Sequence, residues 1–300
     1  MSRWYATALF VTLATMWGLS FPAISVGLEY IPPLLFAAFR YDTAAVLLLG
    51  YAIATTDSWR PVGRNNQQAV LAGGLFLVAG NGLLFIGQQT VPSGVAAILQ
   101  ALVPIATALW ALALLGERLS AIGSVGVALG FLGIALVVQP DPNNVLAGDT
   151  VGRLIILGQV ASVSLGSVLV DRARPSMERV PMTGWAMLVG GLVLHLLSLV
   201  AGEPVPASVA EPAAVGAVAY LGVFSTALAF IIYFTILHDR GAFEASLVAY
   251  LVPVVATVVG VAVLGETVSV LSLVGFVVVF LGFALLKRRA LVDMVGAGVS

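Results

Sequence analysis

The side chains able to do chemistry in this 300-residue chain are few, and they interrupt long hydrophobic stretches. Arg40, Asn81 and Gln100 carry hydrogen-bonding groups, while Trp17, Tyr233 and Tyr250 offer aromatic faces with a polar tip. That combination binds rather than reacts. Amides and a guanidinium hold a carboxylate, and aromatic rings cover an ammonium group or an apolar side chain. The set suits a zwitterion with an apolar side chain. Bond-making chemistry lacks its usual parts. The chain has no cysteine, hence no disulfide, thiolate-bound zinc or thiol nucleophile. Lys287 is its single lysine, so there is no GxxxxGK[ST] phosphate loop through which ATP would act. Neither HExxH nor GxSxG occurs, and no pair of aspartates in facing spans suggests a membrane protease. His195 and His238 stand without a partner at metal-ligand spacing, so neither a metal nor an organic cofactor is expected.

Membrane helices must hold these residues. Sixty percent of the chain is hydrophobic and 9% charged, against about 25% charged in a soluble domain, and the mean hydropathy is +1.09. A spanning helix takes about 20 apolar residues. Ten such runs are read at Trp4–Val26, Pro33–Thr55, Gln68–Gln89, Ser93–Leu115, Ser120–Val138, Val151–Val170, Pro181–Ala201, Ala213–Leu237, Ala242–Leu264 and Val268–Leu286. Each run is continuous rather than alternating, which implies helices. The first is read as a span rather than a cleaved leader, because no small-residue cleavage site follows it. With the N-terminus inside, cytoplasmic segments collect eleven of the thirteen basic residues, leaving Arg153 outside and Arg40 within a span. The positive-inside rule therefore predicts both termini in the cytoplasm. No basic face invites nucleic acid.

A repeat governs the order of these helices. Ser93–Arg118 (SGVAAILQALVPIATALWALALLGER) returns as Ala242–Thr267 (AFEASLVAYLVPVVATVVGVAVLGET), with Pro104 matching Pro253 and Glu117 matching Glu266 at a separation of 149 residues. Five helices per copy is an odd number, so the second copy must enter the membrane upside down. The expected fold is an all-α integral membrane protein of ten transmembrane helices arranged as two inverted five-helix repeats. The first repeat is 1–138, a connecting linker 139–150, the second repeat 151–287 and a cytoplasmic tail 288–300. Inverted repeats related by an axis in the membrane plane are the architecture of secondary transporters. Packing-only duplication, a passive channel or receptor, and a membrane-embedded enzyme are the competing readings. The enzyme would need two deep catalytic groups in reach of each other.

Pro104 and Pro253 lie near the middle of their runs. Each removes a backbone hydrogen bond and frees the carbonyl four residues earlier, on Gln100 and Ala249. A freed carbonyl at that depth is tolerated when buried in protein or lining a wet cavity, so the pair reads as a hinge, with a static kink as the alternative. Arg40 either snorkels to the outer interface or faces the cavity and contacts a carboxylate. Asn81 and Gln100 either bond neighbouring helices or serve a ligand. Asp42 is a candidate proton site, His195 is expected to bond across helices, and Glu244 suits the dipole at a helix start. Gly123, Gly126, Gly130 and Gly133 form a small-residue stripe, read as close packing or a dimer face.

The pattern Trp17-Gly18 with Phe21, then Pro32-Pro33 leading to Phe36-Ala37-Ala38-Phe39-Arg40, resembles the opening of the drug/metabolite transporter superfamily, EamA-like branch. Ser93–Ala97 through Pro104 to Gly116-Glu117-Arg118 resembles its most recognisable block, and Ala245–Glu266 its second copy. Trp17, Gln100, Tyr233 and Tyr250 look like the branch that exports aromatic and other neutral amino acids. Asp42 directly after Arg40-Tyr41 departs from the family's pattern. The resemblance implies ten helices around a central cavity and export of small metabolites, with efflux of drugs or other metabolites as the alternative. A small-molecule substrate, the lipid bilayer of the bacterial inner membrane, and a monomer or weak homodimer complete the expectation.

Overall fold

The computed structural model describes residues 3–139 and 149–288, so most of the linker expected at 139–150 and the tail beyond Arg288 lie outside the described residues. Among the described residues nine helices are long and apolar enough to cross a membrane, α1 (Trp4–Leu28), α2 (Pro33–Thr55), α3 (Arg64–Gly87), α4 (Ser93–Leu115), α5 (Ala121–Val138), α6 (Asp149–Ala173), α7 (Arg179–Val200), α8 (Pro212–Gly241) and α9 (Glu244–Leu264), and a shorter apolar helix, α10 (Val270–Leu286), completes the set of ten. Apolar side chains suit both lipid and core, and helices satisfy their own backbone polar groups.

The repeat is visible in details that hydropathy does not carry. Gly116 and Gly265, 149 residues apart, close α4 and α9 in the left-handed region (φ 69° and 66°), where a side chain would be strained. The next N–H, of Glu117 or Glu266, returns to Ala111 O or Gly260 O, the same turn twice. Ser120 and Ser269 then cap α5 and α10, each hydroxyl accepting a backbone N–H at 3.1 Å. Gly73–Val78 forms π-helical turns in α3; moved by 149 residues it falls at 222–227, within the π-helical Tyr220–Leu228 of α8.

Packing gives the inversion. A Cβ on Gly133 would stand 2.7 Å from Gly275 O, and one on Gly275 2.8 Å from Gly133 O; Gly126 meets Gly282 in the same manner. Since Gly275 is the repeat mate of Gly126, and Gly282 that of Gly133, the two contacts exchange under the repeat. Helices α5 and α10 are antiparallel across a pseudo-twofold axis. The glycine stripe is therefore covered by α10 of the same chain, which corrects its reading as a dimer face: contacts this close leave no room for a second chain. A further point of the axis lies where the Tyr250 hydroxyl donates to Ala101 O at 3.4 Å, because residues 101 and 250 are themselves repeat mates.

The two prolines behave differently. Helix α4 breaks into Ser93–Gln100 and Val103–Leu115, and Pro104 becomes an early residue of the second piece. The N–H of Ile105 turns to Leu102 O (2.9 Å), so Ala101 O loses its usual helical donor and takes the Tyr250 phenol instead. Around Pro253 the helix runs on unbroken. The repeat mate of Tyr250 is Ala101, whose methyl has no proton to donate, so a break there would leave Tyr250 O without the side-chain donor that Ala101 O has. The chain turns instead at Gly241 (φ 84°, ψ 171°), between α8 and α9.

The ends are tied by charge. Glu203 accepts the N–H groups of Leu34 and Leu35 (3.1 and 2.9 Å), capping the start of α2. Arg153 donates to the carbonyls of Val137 and Val138 (2.6 and 3.2 Å) and pairs with Asp149, so a guanidinium caps the end of α5. That role explains an arginine at the face opposite the basic one.

Candidate functional site

At mid-depth three amides form a chain across three helices. Gln100, last residue before the break in α4, donates through Nε2 to Gln159 Oε1 of α6. Gln159 donates to Asn81 Oδ1 of α3 at 2.9 Å, and Asn81 donates to Leu77 O at 2.7 Å. Gln159 is 1% exposed, whereas Asn81 and Gln100 are half-buried. The interhelical-bond reading of the two amides is what the structure shows. The local reason is backbone irregularity. Asn81 ends a 3₁₀ turn that follows the π turns of α3, and Gln100 borders the proline break, so each amide sits where regular helix gives way.

An aromatic cluster faces inward from α1 and α8. The Trp17 ring lies 5.5 Å from Tyr233 and 6.0 Å from Phe230, which in turn approaches Phe234 at 5.7 Å. All are half-buried. The repeat relates the two groups: the mate of Asn81 is Phe230, of Leu84 Tyr233, and of Gln100 Ala249. At one equivalent pair, Asn81 and Phe230, an amide in the first copy is replaced by a ring in the second.

Arg40 is 9% exposed and donates through Nε to Thr226 Oγ1 at 2.9 Å, across from α2 to the π turns of α8. Its guanidinium lies 5.2 Å from the Tyr41 ring and 6.0 Å from Phe85, one turn beyond Asn81 on α3. Among the described residues it has no acidic partner. The snorkelling alternative is not what the structure shows, since the side chain is held between helices. Asp42 faces elsewhere: its Oδ2 meets His195 Nε2 at 2.6 Å across α2 and α7, beside the exposed Val46, Leu192 and Leu196. Tyr250 is 6% exposed, packed on Phe280 and Phe283 (5.2 and 4.6 Å) with its hydroxyl engaged at Ala101. The structure joins Asn81 to Gln100 through Gln159 and Trp17 to Tyr233, sets Arg40 between Thr226 of α8 and Phe85 of α3, and leaves Tyr250 at the axis. No group of three or more His, Cys, Asp or Glu side chains is placed to hold a metal among the described residues.

Sequence reasoning missed Gln159 and Thr226. Gln159 was visible as the one amide inside the sixth run, yet a single polar residue on a long helix gives no sign of which neighbour it reaches. Thr226 gave less signal, because threonine commonly bonds its own helix. It does that here too, donating to Leu221 O at 2.6 Å while accepting Arg40.

Comparison with known proteins agrees with this architecture. The model of the EamA-like transporter family matches the chain twice, over residues 4–139 and 150–288. An uncharacterized inner membrane transporter of Escherichia coli (strain K12), YedA, is 33% identical over 266 residues, 87% of this chain and 83% of that protein. An uncharacterized transporter of Archaeoglobus fulgidus is 26% identical over 298 residues, covering 96% of this chain and all of its own length. One crystal structure superposes with a TM-score of 0.66 at 22% identity, covering 96% of this chain and 99% of its own, which speaks for the fold alone. Each match of the family model takes in one of the five-helix copies that α5 and α10 join across the axis; this multi-pass membrane protein belongs to the EamA-like transporter family.

Proposed function

We propose that the chain exports neutral amino acids, aromatic ones foremost, by alternating access between its two copies. The basic ends of the helices face the cytoplasm, and one chain is a sufficient unit because both walls come from it. The carrying observation is the pairing of an amide group, Asn81 and Gln100, from the first copy with an aromatic group, Trp17, Phe230 and Tyr233, built on α1 and α8; Asn81 and Phe230 stand at equivalent positions of the repeat. A zwitterion with a planar side chain meets both needs: rings cover the side chain, and the amide edges, held by Gln159, bond its polar end. Arg40, the deep cation without an acid, supplies the charge for a carboxylate. Trp17 closes the aromatic wall. Tyr250 contributes as the pivot between α4 and α9 rather than as wall, and Pro104 lets the inner half of α4 move relative to the outer half.

The test is counterflow in proteoliposomes with a panel of labelled amino acids, with and without a proton gradient. Saturable exchange of phenylalanine, tryptophan or tyrosine is expected, reduced by Trp17→Ala and Gln100→Ala. Unsaturable flux would make the chain a channel. Exchange of unrelated metabolites alone, untouched by both substitutions, would sink the amino-acid site.

A further inference from the structure

We infer that Glu266 is a latch that holds the outer end of the pathway shut, and that Glu117 is its counterpart at the inner end; this rests on the alternating-access reading. Both carboxylates follow the same left-handed glycine turn, with φ of 66° and 69°. Local geometry therefore presents them alike. Their surroundings differ. Glu266 accepts the Ser93 backbone N–H through Oε2 (2.9 Å) and the Ser93 hydroxyl through Oε1 (2.8 Å), at the first residue of α4. Ser25 of α1 lies 3.5 Å from Oε1 and 3.0 Å from the Ser93 hydroxyl, and Gln88, the residue after α3, donates to Ser25 at 3.1 Å and to Phe21 O at 2.7 Å. One carboxylate thus joins the outer ends of α1, α3, α4 and α9, at a helix start where negative charge is favoured. Glu117 is exposed and has no side-chain hydrogen bond or ion pair among the described residues.

The missing partner is a matter of helix position. Helix α9 packs along Ser93–Gln100, where a Cβ on Gly94 would touch Thr257, and has no comparable packing along Val103–Leu115 among the described residues. The start of α9 stands away from Glu117, while the start of α4 is docked on Glu266. When the inner halves close and the outer halves part, the repeat brings Glu117 to the backbone at residue 242, the mate of Ser93. The two latches are unequal. Ser93 becomes Ala242, Gln88 becomes Leu237 and Ser25 becomes Arg174 in the second copy, so the inner latch offers a backbone donor and a guanidinium where the outer one has two hydroxyls and an amide.

The cysteine-free chain supplies its own reporters in Thr257→Cys and Ala108→Cys, repeat-equivalent positions in the outer and inner halves. Maleimide labelling of each is measured in proteoliposomes, with and without phenylalanine. Glu266→Gln is expected to raise labelling of the outer reporter about tenfold and lower that of the inner one, since bonds to a charged acceptor are the strong ones. Glu117→Gln is expected to slow exchange while keeping the outer reporter protected, and the double variant to return labelling towards the parent. A purely structural cap would lower thermal stability without this reciprocal shift. Reporters that respond to substrate but ignore both glutamine variants overturn the latch alone. Reporters that never respond to substrate overturn alternating access itself.

Discussion

Gln159 is where removal of one amide has the most to disturb. Gln159→Leu keeps roughly the side-chain volume and deletes both hydrogen bonds, one to Asn81 Oδ1 at 2.9 Å and one from Gln100 Nε2. Asn81 keeps its bond to Leu77 O, so its orientation survives; Gln100 has no second side-chain partner among the described residues. Polar bonds between membrane helices average about 0.6 kcal/mol and reach about 1.7. Two of them give about 1–2 kcal/mol, roughly a five- to thirtyfold loss of apparent affinity. The loss is expected in KM more than in the maximal exchange rate, because in the proposed site the amides orient a binding wall. Counterflow kinetics measure it, with thermal unfolding followed in parallel by tryptophan fluorescence. The sharper test is a double-mutant cycle with Gln100→Leu. In a connected chain the second substitution costs little once the first is made. Effects that add within about 0.3–0.5 kcal/mol would refute the connected amide wall.

Three further outcomes follow from the same geometry. Gly133→Ala should lower stability by about 1–3 kcal/mol, since its Cβ would stand 2.7 Å from Gly275 O; Gly216→Ala, with nothing within 4 Å, should not. Thermal unfolding of the two variants side by side decides it. Arg40→Met should abolish exchange and Arg40→Lys restore part of it, because lysine brings charge without the Nε–Thr226 bond; equal loss in both would assign Arg40 to packing. Glu117→Cys and Glu266→Cys should be labelled from opposite sides of the membrane by an impermeant maleimide, and labelling from one side would remove the inverted orientation.

Hydropathy, the arginine distribution and a 149-residue echo determined the membrane class, the ten spans and the inversion before any coordinate was needed. These are one-dimensional signals: a span must be apolar throughout, and a duplicated unit keeps its prolines and its Gly-Glu turns. The candidate residues were legible as exceptions to that background, since a polar group at mid-depth must find a partner or water. Which partner it finds is a question of rotation and tilt, and no spacing rule reaches across helices. Gln159 bridging Asn81 and Gln100, Arg40 turning to Thr226, and the glycine stripe of α5 meeting α10 all depended on which faces packed together. The tertiary structure alone also decided that two matched prolines act differently and two matched glutamates end in unlike places. Identical local sequences share a turn, but a phenol at residue 250 opposite a methyl at residue 101, and a helix docked at one end and parted at the other, are properties of the whole assembly.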